Sequence, residues 1–249
     1  MILYTIRHAE SANNALYAAT GSSVGRHFDP PLTERGHRQA QLLARHLAAS
    51  GPVDLPLHAE RQNRGGYYLT HLYTSLMIRA ITTAAYIAEA TGLPLHAWTE
   101  IHERGGLHEV DPASGAEVGV PGPNRAWFAA EHPYLHLPET LGEAGWWSRD
   151  REPEEDYLPR ARVVWRQLLE RHGDTDDRIA IVTHGGFLNS LLTALVSHTG
   201  LAPDISPGIT HLWFGAANAS IGRIEIHADV AAVRYLNRVD HLPDELLTG

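Results

Sequence analysis

Ile2-Leu3-Tyr4-Thr5-Ile6-Arg7-His8-Ala9-Glu10-Ser11 is the stretch on which the reading of the whole chain turns. Ile, Tyr and Thr suit a pleated surface, and five such residues without a polar break suit a strand covered on both faces. So short a run does not by periodicity separate strand from buried helix. The residues after it do. An arginine, a histidine and a glutamate arrive together where an apolar strand would leave its sheet, and in open α/β sheets ligands bind at that carboxyl end. Arginine offers a planar, permanently charged fork for phosphate oxygens, and histidine serves as nucleophile or proton carrier. Taken alone, Arg7-His8 fits a polar strand end equally well in a chain holding 17 His.

A second unit repeats the pattern. Residues 179–183 (Ile-Ala-Ile-Val-Thr) are the most strand-like run, and His184-Gly185-Gly186 follows at once, leading into an apolar helix over 187–197. A third apolar strand over 69–74 runs into Ser75-Leu76-Met77-Ile78-Arg79, which opens a helix extending to Gly92 and sets Arg79 near a helix N-terminus, where anions are favoured. Residues 93–98 form another expected strand, leading to Glu100, Glu103 and Arg104. Parallel neighbours would bring Arg7, His8, Arg79, His184 and Glu103 to one rim of the sheet. Phosphoryl transfer needs that set: an in-line nucleophile, cations around the equatorial oxygens and a proton for the leaving group.

The remaining segments fill in an α/β architecture. A polar small-residue loop is expected after Ser11, through Asn13, Asn14, Gly21, Ser22 and Ser23. Thr33 is placed to cap a helix whose Ala40, Leu43, Ala44 and Leu47 recur at helical spacing, ending at Gly51-Pro52. Residues 52–68 read as an exposed insertion, and 107–152, rich in Pro, Gly and Trp, as a lid or cap whose aromatics wall a pocket or form a small core of their own. A long amphipathic helix spans 154–172, and strands are expected over 211–214, 219–226 and 230–236. The whole, 1–249, is read as a single domain with the two insertions forming a cap, in a three-layer α/β/α sandwich around a mostly parallel sheet.

Composition narrows the chemistry. The chain has 249 residues, 43% hydrophobic and 20% charged, ordinary for a folded soluble protein. It has no Cys, so no disulfide framework or thiolate chemistry, and all 20 Lys+Arg residues are Arg, which removes Schiff-base and P-loop lysines. A net charge of −9 argues against a nucleic-acid or anionic-membrane footprint, so any anion site is local. No secretory signature or span-length apolar run is present, which makes a cytoplasmic location the expectation. Asn218-Ala219-Ser220 matches a glycosylation acceptor by chance on this reading.

Four segments together carry a family resemblance over nearly the whole chain. Arg7-His8-Ala9-Glu10 resembles the R-H-G-E signature of the histidine phosphatase superfamily, in its phosphoglycerate-mutase-like branch 1. Asp29-Pro30-Pro31-Leu32-Thr33-Glu34-Arg35-Gly36 is similar to its P-L-T-x-x-G segment, residues 75–84 to its S-P-L-x-R-A-x-x-T-A helix start, and Ile181-Val182-Thr183-His184-Gly185-Gly186 to its second-histidine motif. The resemblance implies a metal- and cofactor-independent phosphomonoester hydrolase, a histidine acid-type phosphatase. His8 would form a phosphohistidine, and Arg7, Arg79 and His184 would hold the phosphoryl oxygens. Asn14, Ser22, Ser23, Arg104 and Gly185 would add substrate contacts, and Glu103 would act as proton donor, with Glu100 and Glu109 as competitors for that role. Neighbouring arginines would keep the His8 ring nitrogen free to attack.

Departures from the family point toward hydrolysis. Ala9 replaces a glycine, Leu76 a proline, and Gly186 the asparagine usual in mutases. No lysine and no adjacent arginine pair exist to hold the far end of a bisphosphate. The alternatives are a mutase with a basic second subsite on Arg61, Arg64, Arg104 or Arg125, and a non-catalytic phospho-ligand binder. A metal protein built on His132 and His136 is a further one. The expected partner is a small phosphomonoester, with neither nucleic acid nor membrane; assembly into a homo-oligomer is left open.

Overall fold

The computed structural model describes residues 1–198 and 212–249. The first half comprises β1 (Ile2–Arg7), α1 (Ala12–Thr20), α2 (Glu34–Ala48), α3 (Leu57–Glu60), β2 (His71–Thr74), α4 (Ile78–Thr91) and β3 (Leu95–Ala97). Then follow β4 (His108–Val110), β5 (Glu117–Gly119), α5 (Arg125–Glu131), β6 (Leu135–His136), α6 (Tyr157–His172), β7 (Arg178–Thr183) and α7 (Gly185–His198), with β8 (Ile221–His227) and β9 (Val230–Arg238) last. Among the described residues the main sheet has the strand order β6-β3-β2-β7-β1-β8-β9. Its first five strands are parallel, and β8 and β9 add an antiparallel edge.

β1 explains why its sequence reads as unbroken apolar. Tyr4 and Ile6 pack into the core shared with α2 and α4, while Leu3 and Met1 pack into the core shared with α6 and α7. Helices on both faces leave no polar side to the strand. α2 starts as expected, with Thr33 accepting from the Gly36 N–H, and buries Ala40, Leu43, Ala44 and Leu47. α4 ends on Gly92 in the left-handed conformation, at φ +71°. The described layers are those of the expected three-layer sandwich.

Three expectations are corrected. The stretch after Ser11 is not an open loop but α1, nucleated by a capping box between Ser11 and Asn14. Its alanines supply propensity, but it buries no residue and so leaves no apolar stripe in the sequence. Residues 52–68 are not simply exposed: Tyr67 is buried edge-on against Tyr4, and Glu60 pairs with Arg178 and with the buried Arg223. These contacts fix the segment near the amino ends of β1 and β7, away from the rim that carries His8, because Tyr67 needs cover and Arg223 needs a counterion. Residues 107–152 also contribute a strand to the main sheet, since β6 pairs with β3. Two residues are too few for alternation to show in sequence.

The expected strand over 211–214 begins at His211, outside the described residues, and 212–214 is irregular. The last two strands lie close to expectation. No helix among the described residues is long and apolar enough to cross a membrane.

Candidate active site

β1, β7, β2 and β3 lie side by side and run the same way, so four consecutive carboxyl ends share one rim. Arg7 ends β1 in register with Thr183 at the end of β7, which sets His8 and His184 beside each other with ring centroids 5.1 Å apart. Ser75 follows β2, and its hydroxyl lies 2.7 Å from His184 Nε2. Glu103 comes from the turn after β3. A cavity of about 230 Å³ opens on this rim, its walls including Arg7, His8, Asn14, Arg26, Arg79 and Glu103.

His8 is buried, and its tautomer follows from its contacts. Nδ1 lies 2.7 Å from the Ala9 carbonyl oxygen, which can only accept, so Nδ1 carries the proton. Nε2 then has a free lone pair, and Arg79 Nε donates to it at 3.1 Å. Burial, then the charges of Arg79 and Arg7, holds the His8 pKa well below the ordinary 6.5, against a small opposing effect of the Ala9 carbonyl. Burial thus outweighs the neighbouring arginines in keeping the ring neutral. His184 is held well below its ordinary value too, by burial first and by Arg79 and His8 next.

The arginines are set by different means. Arg7 Nη1 donates to the Ala216 carbonyl at 2.5 Å, while its buried Nε has no partner among the described residues. Arg79 sits in the first turn of α4, and Asp29 anchors it: the Asp29 carboxylate accepts from the Ile78 N–H at 3.1 Å and from Arg79 Nη1 at 3.5 Å. Burial raises the Asp29 pKa to about 6 despite the lowering effects of Arg79 and the Ile78 N–H. The chain beyond β1 is pinned as well, since Ala9 N–H donates to Thr83 Oγ1 on α4 and Asn218 Nδ2 donates to the His8 carbonyl.

Glu103 is seated at the start of α7. Its carboxylate accepts from the N–H groups of Arg104, Phe187 and Gly186 at 2.8, 2.9 and 3.1 Å. A Cβ on Gly186 would stand 2.5 Å from Glu103 Oε1, so the glycine is needed for this seat. Glu100 and Glu109 do not line the cavity. Glu10, by contrast, turns away from the rim: it accepts from Thr33 Oγ1 at 2.7 Å and pairs with Arg35, which ties the signature loop to α2.

The other expected contacts divide. Asn14 and Ser23 line the cavity; Ser22 does not, its hydroxyl accepting from the Val24 N–H. Arg104 turns onto Ser190, with Nε donating at 2.9 Å, and Gly185 packs beside Arg7. None of Arg61, Arg64, Arg104 and Arg125 lines the cavity. Arg26 does, from the stretch between α1 and α2, with Nη1 2.7 Å from His108 Nε2. His132 and His136 diverge, one toward the Tyr134 hydroxyl and the other stacked on His96. Trp146, Trp147 and Phe128 are buried among themselves and the core rather than on the cavity wall. Asn218 is fully buried, consistent with a chance match to the glycosylation pattern.

Sequence reasoning missed Asp29, Arg26, Ser75 and Asn218. Asp29 precedes Pro30-Pro31, where its local signal is only that of a turn residue ahead of a helix. Arg26 was the lone cation in a polar stretch, a weak signal. Ser75 and Asn218 act through tertiary contacts with residues more than 100 positions away, and nothing local announces that.

A family model for the histidine phosphatase superfamily (branch 1) matches residues 3–239. The chain belongs to that superfamily. Solved structures resemble this histidine phosphatase superfamily member over nearly their full lengths. A mycobacterial glucosyl-3-phosphoglycerate phosphatase bound to VO3 is 20% identical, with 96% of this chain and 99% of that one covered and a TM-score of 0.54. A phosphoserine phosphatase from Entamoeba histolytica, in complex with 3-phosphoglyceric acid, is 18% identical, with 97% and 99% covered and a TM-score of 0.52. An ecdysone phosphate phosphatase from Bombix mori, in complex with tungstate, is 15% identical, with 97% and 93% covered and a TM-score of 0.60. At these identities the likeness is one of fold. No curated protein sequence matches the chain significantly.

Proposed function

We propose that the protein hydrolyses a small phosphomonoester through a phosphohistidine on His8. The observation that carries this reading is the His8 ring itself: Nδ1 is committed to the Ala9 carbonyl, and the Nε2 lone pair is flanked by Arg79 and Arg7 in one cavity. Nε2 attacks phosphorus as the bond to the leaving oxygen breaks. Arg79 Nε passes from Nε2 to a phosphoryl oxygen, Arg7 Nε takes another, and His184 supports the group from behind His8. Glu103 gives its proton to the leaving oxygen, then takes one from the water that attacks phosphorus and breaks the P–N bond, releasing inorganic phosphate.

Arg26 and Asn14 on the cavity wall favour a substrate with a second polar or anionic group. The phosphatases among the structural neighbours are consistent with phosphomonoester hydrolysis. Arg7 and Arg79 supply the positive field that a metal provides elsewhere, so turnover is expected to survive EDTA. A cytoplasmic location and a single catalytic domain belong to the same reading. The test is phosphate release from p-nitrophenyl phosphate, followed by a panel of sugar phosphates, nucleotides, phospholipid headgroups and phosphoproteins. His8→Ala should abolish release with the fold intact by circular dichroism; wild-type turnover in that variant would remove His8 from the mechanism.

A further inference from the structure

A cluster of side chains able to ligate a metal lies at the opposite end of the sheet from the cavity. His71 opens β2, His172 closes α6, and Asp177 stands immediately before β7. One donor atom of each lies within 4.8 Å of the other two. His172 Nδ1 is 2.8 Å from Asp177 Oδ2, and His71 Nδ1 is 3.7 Å from Asp177 Oδ1. Ligands about 2.0–2.1 Å from a tetrahedral zinc stand roughly 3.3 Å from each other, and these two separations, each to a different oxygen of Asp177, fall on either side of that figure. β2 spans the distance from His71 to Ser75 beside His184, about 13 Å at the rise of an extended chain.

We propose that His71, His172 and Asp177 bind a divalent transition-metal ion, zinc foremost, at a site separate from the phosphoryl cavity. Two imidazoles and one carboxylate suit zinc, cobalt or nickel better than magnesium or calcium. Tyr73 supplies the outer partner such a histidine requires, its hydroxyl 3.1 Å from His172 Nε2. That hydroxyl serves either tautomer. It donates to Nε2 while Nδ1–H bonds Asp177, and accepts from Nε2–H when Nδ1 turns its lone pair to an ion. The side chain of His172 is 5% exposed and that of His71 36%, so the site is anchored on one side and open to ion and solvent on the other. Bound metal would tie β2 to α6 and to the turn entering β7.

The test is titration of the chelator-treated full chain with Zn²⁺ by calorimetry, with Co²⁺ as a spectroscopic reporter. One equivalent is expected to bind, Co²⁺ giving the absorption of a four-coordinate site, and Zn²⁺ raising the melting temperature. His71→Ala and the near-isosteric Asp177→Asn should each weaken binding at least tenfold. Both should keep the wild-type fold and unchanged phosphate release from p-nitrophenyl phosphate. A His96→Ala/His136→Ala variant, which removes the neighbouring stacked pair, should bind as the wild type does. No uptake, uptake undiminished by His71→Ala and Asp177→Asn, or uptake lost only with His96 and His136 would each overturn the assignment.

Discussion

In the proposed mechanism a single ring nitrogen carries most of the chemistry, and its readiness depends on burial more than on charge. His8 is only 3% exposed, and the two guanidinium groups add to a preference for the neutral ring that burial already sets. Glu103 depends instead on a backbone seat, the first N–H groups of α7. Glu103→Gln keeps the shape but cannot cycle a proton, so turnover should fall most for esters with poor leaving groups. Measured across a series of aryl and alkyl phosphates, a uniform loss would take the proton away from Glu103. Gly186→Asn, the residue usual in mutases, should lower kcat by at least tenfold, because its Cβ claims the space of Glu103 Oε1. Wild-type kcat in that variant would mean the seat is dispensable. Arg7, His8 and His184 were legible because each follows directly on an apolar run. Asp29 was not, because its role is to hold Arg79 from 50 residues away.

Secondary-structure elements meet the rim through close backbone contacts that explain the motifs. Gly36 lies where a Cβ would stand 2.0 Å from the Glu10 carbonyl oxygen, so α2 can approach the signature loop only with glycine there. Gly36→Ala should destabilise the fold by about 1–3 kcal/mol by denaturant titration, with overpacking as the cause; unchanged stability would deny the close approach. Asp29 joins the α4 N-terminus to Arg79 in the same manner. Asp29→Asn keeps an acceptor for the Ile78 N–H but drops the charge facing Arg79, and kcat/KM should fall by about 10- to 100-fold. Because its pKa is about 6, Asp29 protonates as pH falls through that value, and the wild-type kcat/KM should decline there. Asp29→Asn should lack that part of the decline, the substrate's own ionisation being common to both; superimposable pH profiles would rule the anchor out. The long helices could be read from their stripes and caps. α1 and β6 could not, one having no buried face and the other only two residues.

Across the whole molecule the buried neutral histidines set an acid limit to stability. Burial, with nearby arginines, holds His8, His102 and His184 well below the ordinary 6.5. As pH falls below 6.5 the unfolded chain takes up protons that the folded chain refuses, so stability drops. Asp29 works the other way: with a pKa raised to about 6 it binds a proton in the folded state first, gaining stability as pH falls from about 6 toward its ordinary 3.8. His46, His96, His108, His132 and His241, also held below 6.5 chiefly by burial, add to the three against Asp29, so the melting temperature should decline from pH 7 to pH 5, and His102→Gln should flatten the decline. Equal melting temperatures at both pH values would contradict the neutral burial. The fold class was readable at this scale from strand–helix alternation, whereas the placement of 52–68 near the far end of the sheet depended on partners such as Arg223 that no local pattern reveals. The most direct test of the central claim is to quench the enzyme during turnover under alkaline conditions and map the phosphorylated peptide by mass spectrometry. A phosphoryl group on His8, absent in His8→Ala, is the predicted result; a phosphoryl group on any other residue would contradict it.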